Sequence, residues 1–177
     1  KMSEEKINLL RAHGAEVVIT RSNVTRDDPE YYLNVAKRLA TEIPGAWYSD
    51  QWSNPNNPLA HYLTTGPEVW DDTDGELDAY VGGMGTTGTT SGVGRYLKER
   101  KPQIRVIAVE PEGSVFGGGT PAPYKVDGIG NSFIPNMLDA SVIDEYSKVS
   151  DKEAFNMARR MAREEGMLCG GSCGAAV

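Results

Sequence analysis

The run GGMGTTGTTSGVG, residues 82–94, places six glycines and four threonines within thirteen positions. It follows the strand-like LDAYV at 77–81 and runs into the helix-like TSGVGRYLKERK. A glycine-rich turn between the carboxyl end of a strand and the start of a helix is where backbone N–H groups and the helix dipole converge on an anion, so the segment suits a phosphate. The hydroxyls of Thr86, Thr87 and Thr89 add donors that carry no charge. A tight turn that needs glycine only for its dihedrals is the alternative on spacing alone. The Gly-Lys-Ser/Thr ending of a nucleotide-binding loop is absent, as is the dinucleotide pattern G-x-G-x-x-G, which argues against ATP and NAD.

A second constellation, GMLCGGSCGAA at 166–176, places Ser172 in a glycine-rich segment at the start of a helix. There it acts either as an ordinary cap or as a hydroxyl presented to a ligand at another strand end of the same sheet. A nucleophilic serine would need a histidine base. The two histidines, His13 and His61, both fall in helical patterns, where surface or core roles are commoner than catalysis. Cys169 and Cys173 are too few for a disulfide framework and wrongly spaced for a zinc knuckle, so they read as reduced, buried thiols beside Ser172. The acidic Asp71, Asp72, Asp74 and Glu76 lack the ordered oxygen ladder of a calcium loop and read as a solvated turn, so no metal is expected.

The elements that position these residues alternate regularly. Ser3, Glu4 and Glu5 open a helix that Gly14 closes. AEVVIT at 15–20 reads as a short buried strand, and Asp28 with Pro29 opens a second helix running to Glu42. Asn57 with Pro58, then Thr65, Gly66 and Pro67, start two more helical stretches. LDAYVGGMG, TSGVGRYLKERK and IRVIAVEP then read as strand, helix and strand, a unit that implies a parallel sheet with a right-handed crossover. SVIDEYSKV is a further strand. Ser150 and Glu153 form a capping box for a helix ending at Gly166. Trp47 and Trp70 read as packing residues.

Composition narrows the partners. A hydrophobic fraction of 39% over 177 residues suffices for a packed core, and a net charge of −7 disfavours nucleic acid and anionic membrane. No apolar run approaches the roughly 18 residues needed to span a bilayer, and nothing argues against a cytoplasmic location. The chain opens on Lys1 and stops inside what reads as a helix start, so a fragment of a longer protein is expected.

Six blocks in order resemble the cystathionine beta-synthase and cysteine synthase group of pyridoxal-phosphate enzymes, which have a tryptophan-synthase-like fold. They are KMSEEKINLLRAHGAEVV, DQWSNPNNPLAHYLTTGPEVW, GGMGTTGTTSGVGRYLKE, VIAVEPEGS, VDGIGNSFIP and EEGMLCGGSCGAA. The resemblance implies an α/β fold of type II: a parallel sheet with flanking helices, here truncated. Residues 1–52 would be the tail of a small mobile domain and residues 53–177 an incomplete large cofactor-binding domain. It implies pyridoxal 5'-phosphate as cofactor, its phosphate held by Gly85, Thr86, Thr87, Gly88 and Thr89; Thr87 stands where many relatives have glycine. Ser172 matches the serine that hydrogen-bonds the pyridine nitrogen. Gln51 and Trp52 match a pair near the substrate carboxylate and the cofactor ring, and Gly128, Ile129 and Gly130 match the loop facing substrate across the cleft.

The implied reaction is β-replacement on small amino-acid substrates. A neutral serine at the pyridine nitrogen leaves the ring a weaker electron sink than an aspartate would, which tilts chemistry towards β-elimination. DGELD, PEGS and LCGGSCG look more like cystathionine beta-synthases, which join serine and homocysteine with loss of water. MGTTGT and GGGTPAPYKVDGIG look more like cysteine synthases, which take O-acetylserine and sulfide. A non-catalytic relative that binds a partner protein is the third reading. The family further implies a homodimer. Its lysine-bearing Ser-x-Lys segment and its Thr-Ser-Gly-Asn loop have no counterpart in this sequence. None of Lys1, Lys6, Lys37, Lys98, Lys101, Lys125, Lys148 and Lys152 lies in such a segment, so the 177 residues alone are expected not to turn over.

Overall fold

The computed structural model describes residues 3–177. Two compact units divide the chain, one ending at Asp50 and the other spanning Gln51–Val177. Gln51 and Trp52 therefore open the second unit.

In the second unit a crossover builds the sheet. β1 (Ala79–Gly83), α5 (Gly88–Arg100) and β2 (Arg105–Pro111) form the strand–helix–strand unit, and β3 (Glu145–Val149) joins β2 on its other side. Both pairings are parallel, with Val81 opposite Ile107 and Ile107 opposite Glu145. β2 is central and therefore carries apolar residues on both faces, as strands covered on two sides must. Val109 packs with Ala154 and Ala175, from α6 (Asp151–Glu164) and α7 (Gly171–Ala176). On the α5 side, Val93, Tyr96 and Leu97 cluster with Leu77 and Ile104.

Two further helices cover α5. α3 (Asn56–Leu63) and α4 (Thr65–Asp72) are separated by Thr64, whose N–H still bonds to the Ala60 carbonyl at 2.9 Å. Their approach to α5 is close because glycine stands at the crossing points. A Cβ on Gly92 would lie 2.3 Å from the Pro58 carbonyl oxygen, and one on Gly66 would lie 2.7 Å from Tyr96 Cβ.

α6 starts with the anticipated capping box: Ser150 Oγ accepts from Glu153 N at 3.3 Å, and Glu153 Oε2 accepts from Ser150 N at 2.9 Å. It ends at Glu164, two residues before Gly166, which takes a φ of +70°. β3 is shorter than expected from the sequence. Residues 140–142 form a 3-10 turn capped by Asp139, whose side chain accepts from Ser141 N at 3.1 Å. Asp144 then accepts from Val106 N at 2.7 Å and from Lys98 Nζ at 2.6 Å, and these contacts hold its carboxyl below the ordinary aspartate range.

The first unit holds α1 (Glu4–Ala12) and α2 (Tyr32–Glu42). Three expectations are corrected there. Residues 15–20 form no strand, because a ladder needs a partner and none pairs with them. α2 starts at Tyr32 instead of Pro29, because the Asp28 carboxylate accepts from Glu30 N at 2.8 Å and closes a turn ahead of the helix. Trp47 stands 78% exposed, since Val35 is the one buried hydrophobic residue described in this unit. Trp70 does pack against the α5 cluster.

Two outcomes follow for stability. Gly92→Ala forces a side chain against the Pro58 carbonyl, and urea unfolding should show a loss of about 1–3 kcal/mol. The depressed Asp144 carboxyl contributes stability above its unfolded value of ~3.9, and that contribution fades as pH falls through the lower folded value. Asp144→Asn should therefore be destabilising at pH 7, and the gap to the parent chain should close as unfolding is measured at more acid pH.

Candidate functional site

The cavity at the amino end of α5 has a volume of about 270 Å³ and is lined by Gln51, Gly83, Gly85, Thr86, Thr87, Thr89, Thr90 and Gly128. No charged side chain lines it. β1 delivers the chain to this point, and Thr87 turns it into the helix with a left-handed backbone, φ +73° and ψ −5°. For a threonine that conformation is strained, and strain of this kind concentrates at ligand sites. The first N–H groups of α5 have no carbonyl a turn behind them; that of Gly88 makes a long contact of 3.5 Å to Thr86 Oγ1, and those that follow are available to an anion.

The hydroxyls point to the same ligand chemistry. Thr87 is 2% exposed and Thr90 1%, yet the Oγ1 of each is buried without a hydrogen-bond partner. A buried hydroxyl left unmatched costs about 1–3 kcal/mol, so two lining one cavity mark a place where acceptor oxygens belong. Thr86 Oγ1 accepts from Asn57 Nδ2 at 3.0 Å, and Thr89 Oγ1 lies 3.1 Å from His61 Nε2. Among the described residues no group of histidine, cysteine, aspartate and glutamate side chains is arranged to hold a metal ion.

Of the residues singled out from sequence, Gly85, Thr86, Thr87, Thr89, Gln51 and Gly128 line the cavity together. Gly88 begins α5 behind them, where a Cβ would fall 2.0 Å from Asn57 Oδ1. Gly128 takes a φ of +91°, and a Cβ on it would lie 3.8 Å from Ser172 Oγ, so the start of α7 stands beside the same rim. Gly130 N donates to the Met84 carbonyl at 2.6 Å and thereby ties this loop to the strand end.

Three placements differ from expectation. Ile129 is 9% exposed and packs with Val109, Val126, Ala154 and Ala175, so its side chain fills the core below the cavity. Trp52 packs against Phe133 with the rings tilted by 57° and their centroids 5.1 Å apart, its Nε1 is buried and unpartnered, and it does not line the cavity. Cys173 is exposed and Cys169 half-buried, against the expectation of buried thiols, because α7 turns Gly174 and Ala175 to the core instead. Burial and the neighbouring Cys173 push the Cys169 thiol above its ordinary range. From sequence, Thr90 is not singled out, Asn57 reads only as a helix start, and His61 reads only as a surface or core residue of a helix. The four-residue spacing of the last two, on the helix that meets the GTTGT turn, was the available signal.

A cavity built from glycine backbone and threonine hydroxyls at a helix start, on the carboxyl edge of a parallel sheet, is the form that an anion site takes in an α/β protein. The whole chain, residues 1–177, matches the family model described as pyridoxal-phosphate dependent enzyme, and the chain belongs to that family. It is 47% identical over 182 residues to the cystathionine beta-synthase of Apis mellifera and 48% over 183 residues to that of Oryctolagus cuniculus. All of the chain is covered in both, with 36% and 33% of those proteins, so it spans about a third of the relatives' length. Among solved structures, it is similar to the O-acetylserine dependent cystathionine beta-synthase of Helicobacter pylori. There the TM-score is 0.90 and the identity 42%, over 99% of this chain and 56% of that one. It is also similar to the cysteine synthase of Entamoeba histolytica, with a TM-score of 0.86 and 40% identity over 99% and 51%. These neighbours confirm a fold of type II, and the family's cofactor is pyridoxal 5'-phosphate.

Thr87 supplies the test of strain against binding. Thr87→Gly removes both the left-handed strain and a buried unmatched hydroxyl, so the ligand-free chain should gain about 1 kcal/mol in urea unfolding. The same change should weaken binding of inorganic phosphate, read by calorimetric titration.

Proposed function

We propose that this chain forms the phosphate-binding side of the cofactor site in an enzyme of β-replacement, and that the enzyme joins serine and homocysteine to give cystathionine and water. The observation that carries the reading is the pair of buried, unpartnered hydroxyls on Thr87 and Thr90 at the opening turn of α5. The acceptor-only oxygens of a phosphate match hydroxyl and N–H donors that have nothing else to bond. Gly85, Thr86, Thr87, Gly88 and Thr89 hold the phosphate by backbone and hydroxyl groups, and Thr90 adds a further donor. When bound, the cofactor supplies an electron sink for the amino-acid substrate. Ser172 stands beside Gly128 at the rim, where its uncharged hydroxyl meets the pyridine nitrogen without forcing full protonation on it. Gln51 lines the cavity on the α3 side, where its backbone carbonyl accepts from Asn57 Nδ2, and presents its amide to the substrate carboxylate, while the backbone of the loop at 128–130 shapes the substrate side.

The choice of serine and homocysteine rests on relatives named cystathionine beta-synthase at 44–48% identity. A second reading, O-acetylserine with sulfide, is favoured by the likeness to the Entamoeba histolytica cysteine synthase.

Titration of the 177-residue chain with pyridoxal 5'-phosphate is expected to show saturable binding that inorganic phosphate displaces, whereas pyridoxal without its phosphate competes poorly. Equal competition by pyridoxal would sink the phosphate reading. For the reaction, an enzyme of the relatives' length carrying this segment should show a higher kcat/KM for serine with homocysteine than for O-acetylserine with sulfide; the reverse order would establish the second reading.

A further inference from the structure

Behind the cavity, α3 presents two polar side chains one helical turn apart, and each engages a different lining threonine. Asn57 Nδ2 donates to the Gln51 carbonyl oxygen at 2.7 Å and to Thr86 Oγ1 at 3.0 Å. A backbone carbonyl only accepts, so the Gln51 contact fixes which end of the amide is the NH₂ group. Thr86 Oγ1 is consequently an acceptor towards Asn57. His61, four residues on, places Nδ1 2.9 Å from Thr65 Oγ1 and Nε2 3.1 Å from Thr89 Oγ1. The two contacts form a chain of donors whose direction depends on which ring nitrogen carries the proton. With the proton on Nε2, Thr65 donates to Nδ1 and Thr89 accepts from Nε2.

We propose that Asn57 and His61 are positioning residues: by occupying the acceptor sites of Thr86 and Thr89, they leave both O–H groups to donate into the cavity, to the oxygens of a phosphate group. The proposal rests on the phosphate reading of the cavity and adds how its donors are oriented. A phosphate offers oxygens and, as a dianion, no hydrogen, so every group facing it must be a donor. A threonine hydroxyl has one hydrogen, and a neighbour that accepts that hydrogen removes it from the ligand. Thr87 and Thr90 meet the requirement by having no other partner. Thr86 and Thr89, which do have partners, meet it only when those partners donate. In a cavity lined by no cation, this orientation supplies what a lysine or arginine would otherwise contribute.

Two measurements test the assignment, one of them without any ligand. Long-range ¹H–¹⁵N correlation NMR of the 177-residue chain at neutral pH should show His61 as the Nε2–H tautomer, and an Nδ1–H tautomer would overturn the proposal whatever the cavity binds. Calorimetric titration with inorganic phosphate gives the second readout. His61→Gln carries its amide nitrogen where Nε2 stood and should bind phosphate within about twofold of the parent. His61→Asn carries it where Nδ1 stood and should bind about tenfold more weakly, as expected for one lost bond to a charged group. Equal affinities for the two variants contradict the proposal. If His61→Asn does not fold, the other pair decides: Asn57→Ala combined with Thr86→Val should bind no more weakly than Thr86→Val alone, and additive losses count against it. A parent chain that ignores phosphate refutes the phosphate reading itself and leaves the tautomer to judge the His61 assignment.

Discussion

The close seating of α3 on the first turns of α5 is the contact on which the cavity depends. Gly88 and Gly92, one turn apart on α5, leave room for Asn57 and for the Pro58 carbonyl, where a Cβ would fall 2.0 and 2.3 Å away. No rotamer change relieves a clash with a backbone carbonyl, so the second glycine sets the distance between the helices. That distance brings the side chains of Asn57 and His61 within hydrogen-bond reach of the threonine turn. A pair of larger residues on α5 would push α3 outward, and both threonine contacts would be lost together. The left-handed residue of the turn is Thr87, not a glycine, and these two glycines serve instead to admit the neighbouring helix.

The cavity is polar yet carries no formal charge, and that suits the chain's balance of −7. A buried lysine would have needed a partner or a depressed pKa, whereas hydroxyls and N–H groups bind an anion with no charge to desolvate in its absence. The cost appears instead as strain and unmatched polarity, both concentrated at Thr87. Its left-handed backbone aims α5 at the cavity, and its hydroxyl stays unpartnered at 2% exposure. A glycine would relax the turn but contribute no donor, so under the proposed phosphate reading the threonine trades folding stability for a ligand contact.

Much of this was legible in the sequence, and the limits of that reading have physical causes. The crossover unit stood out because period-two and helical patterns flank a glycine turn, and local signals of that kind survive folding. The capping box at Ser150 and Glu153 was equally plain, being a contact within four residues. The strand read at residues 15–20 failed because a strand exists only with a neighbour, which no local pattern reports. The family resemblance put Ile129 with Gly128 and Gly130 on a loop facing substrate, and resemblance does not report side-chain direction: the left-handed turns at Gly128 and Gly130 send the Ile129 side chain to the core. The contacts of Asn57 and His61 with the threonine turn were not legible because their partners lie 29 and 28 residues away, across a helix crossing.

The opposite wall of the cavity is held by a buried charge. Glu110 on β2 has no solvent exposure, and its carboxylate accepts from Phe116 N at 2.8 Å and Gly117 N at 2.7 Å, with Lys148 Nζ 3.7 Å away. Such a charge is tolerable only because those donors replace water, and in doing so it clamps the loop that leaves β2. From that loop, Ser114 Oγ accepts from Asn131 N at 3.0 Å and Val115 N donates to the Asn131 carbonyl at 3.2 Å. Asn131 follows Gly130, whose own N–H bonds to the Met84 carbonyl. The segment carrying Gly128 is therefore fixed from β1 on one side and from the Glu110 loop on the other. Its position at the rim is a consequence of the central strand, as that of the threonine turn is of α3, and the cavity is the space these two supports hold open.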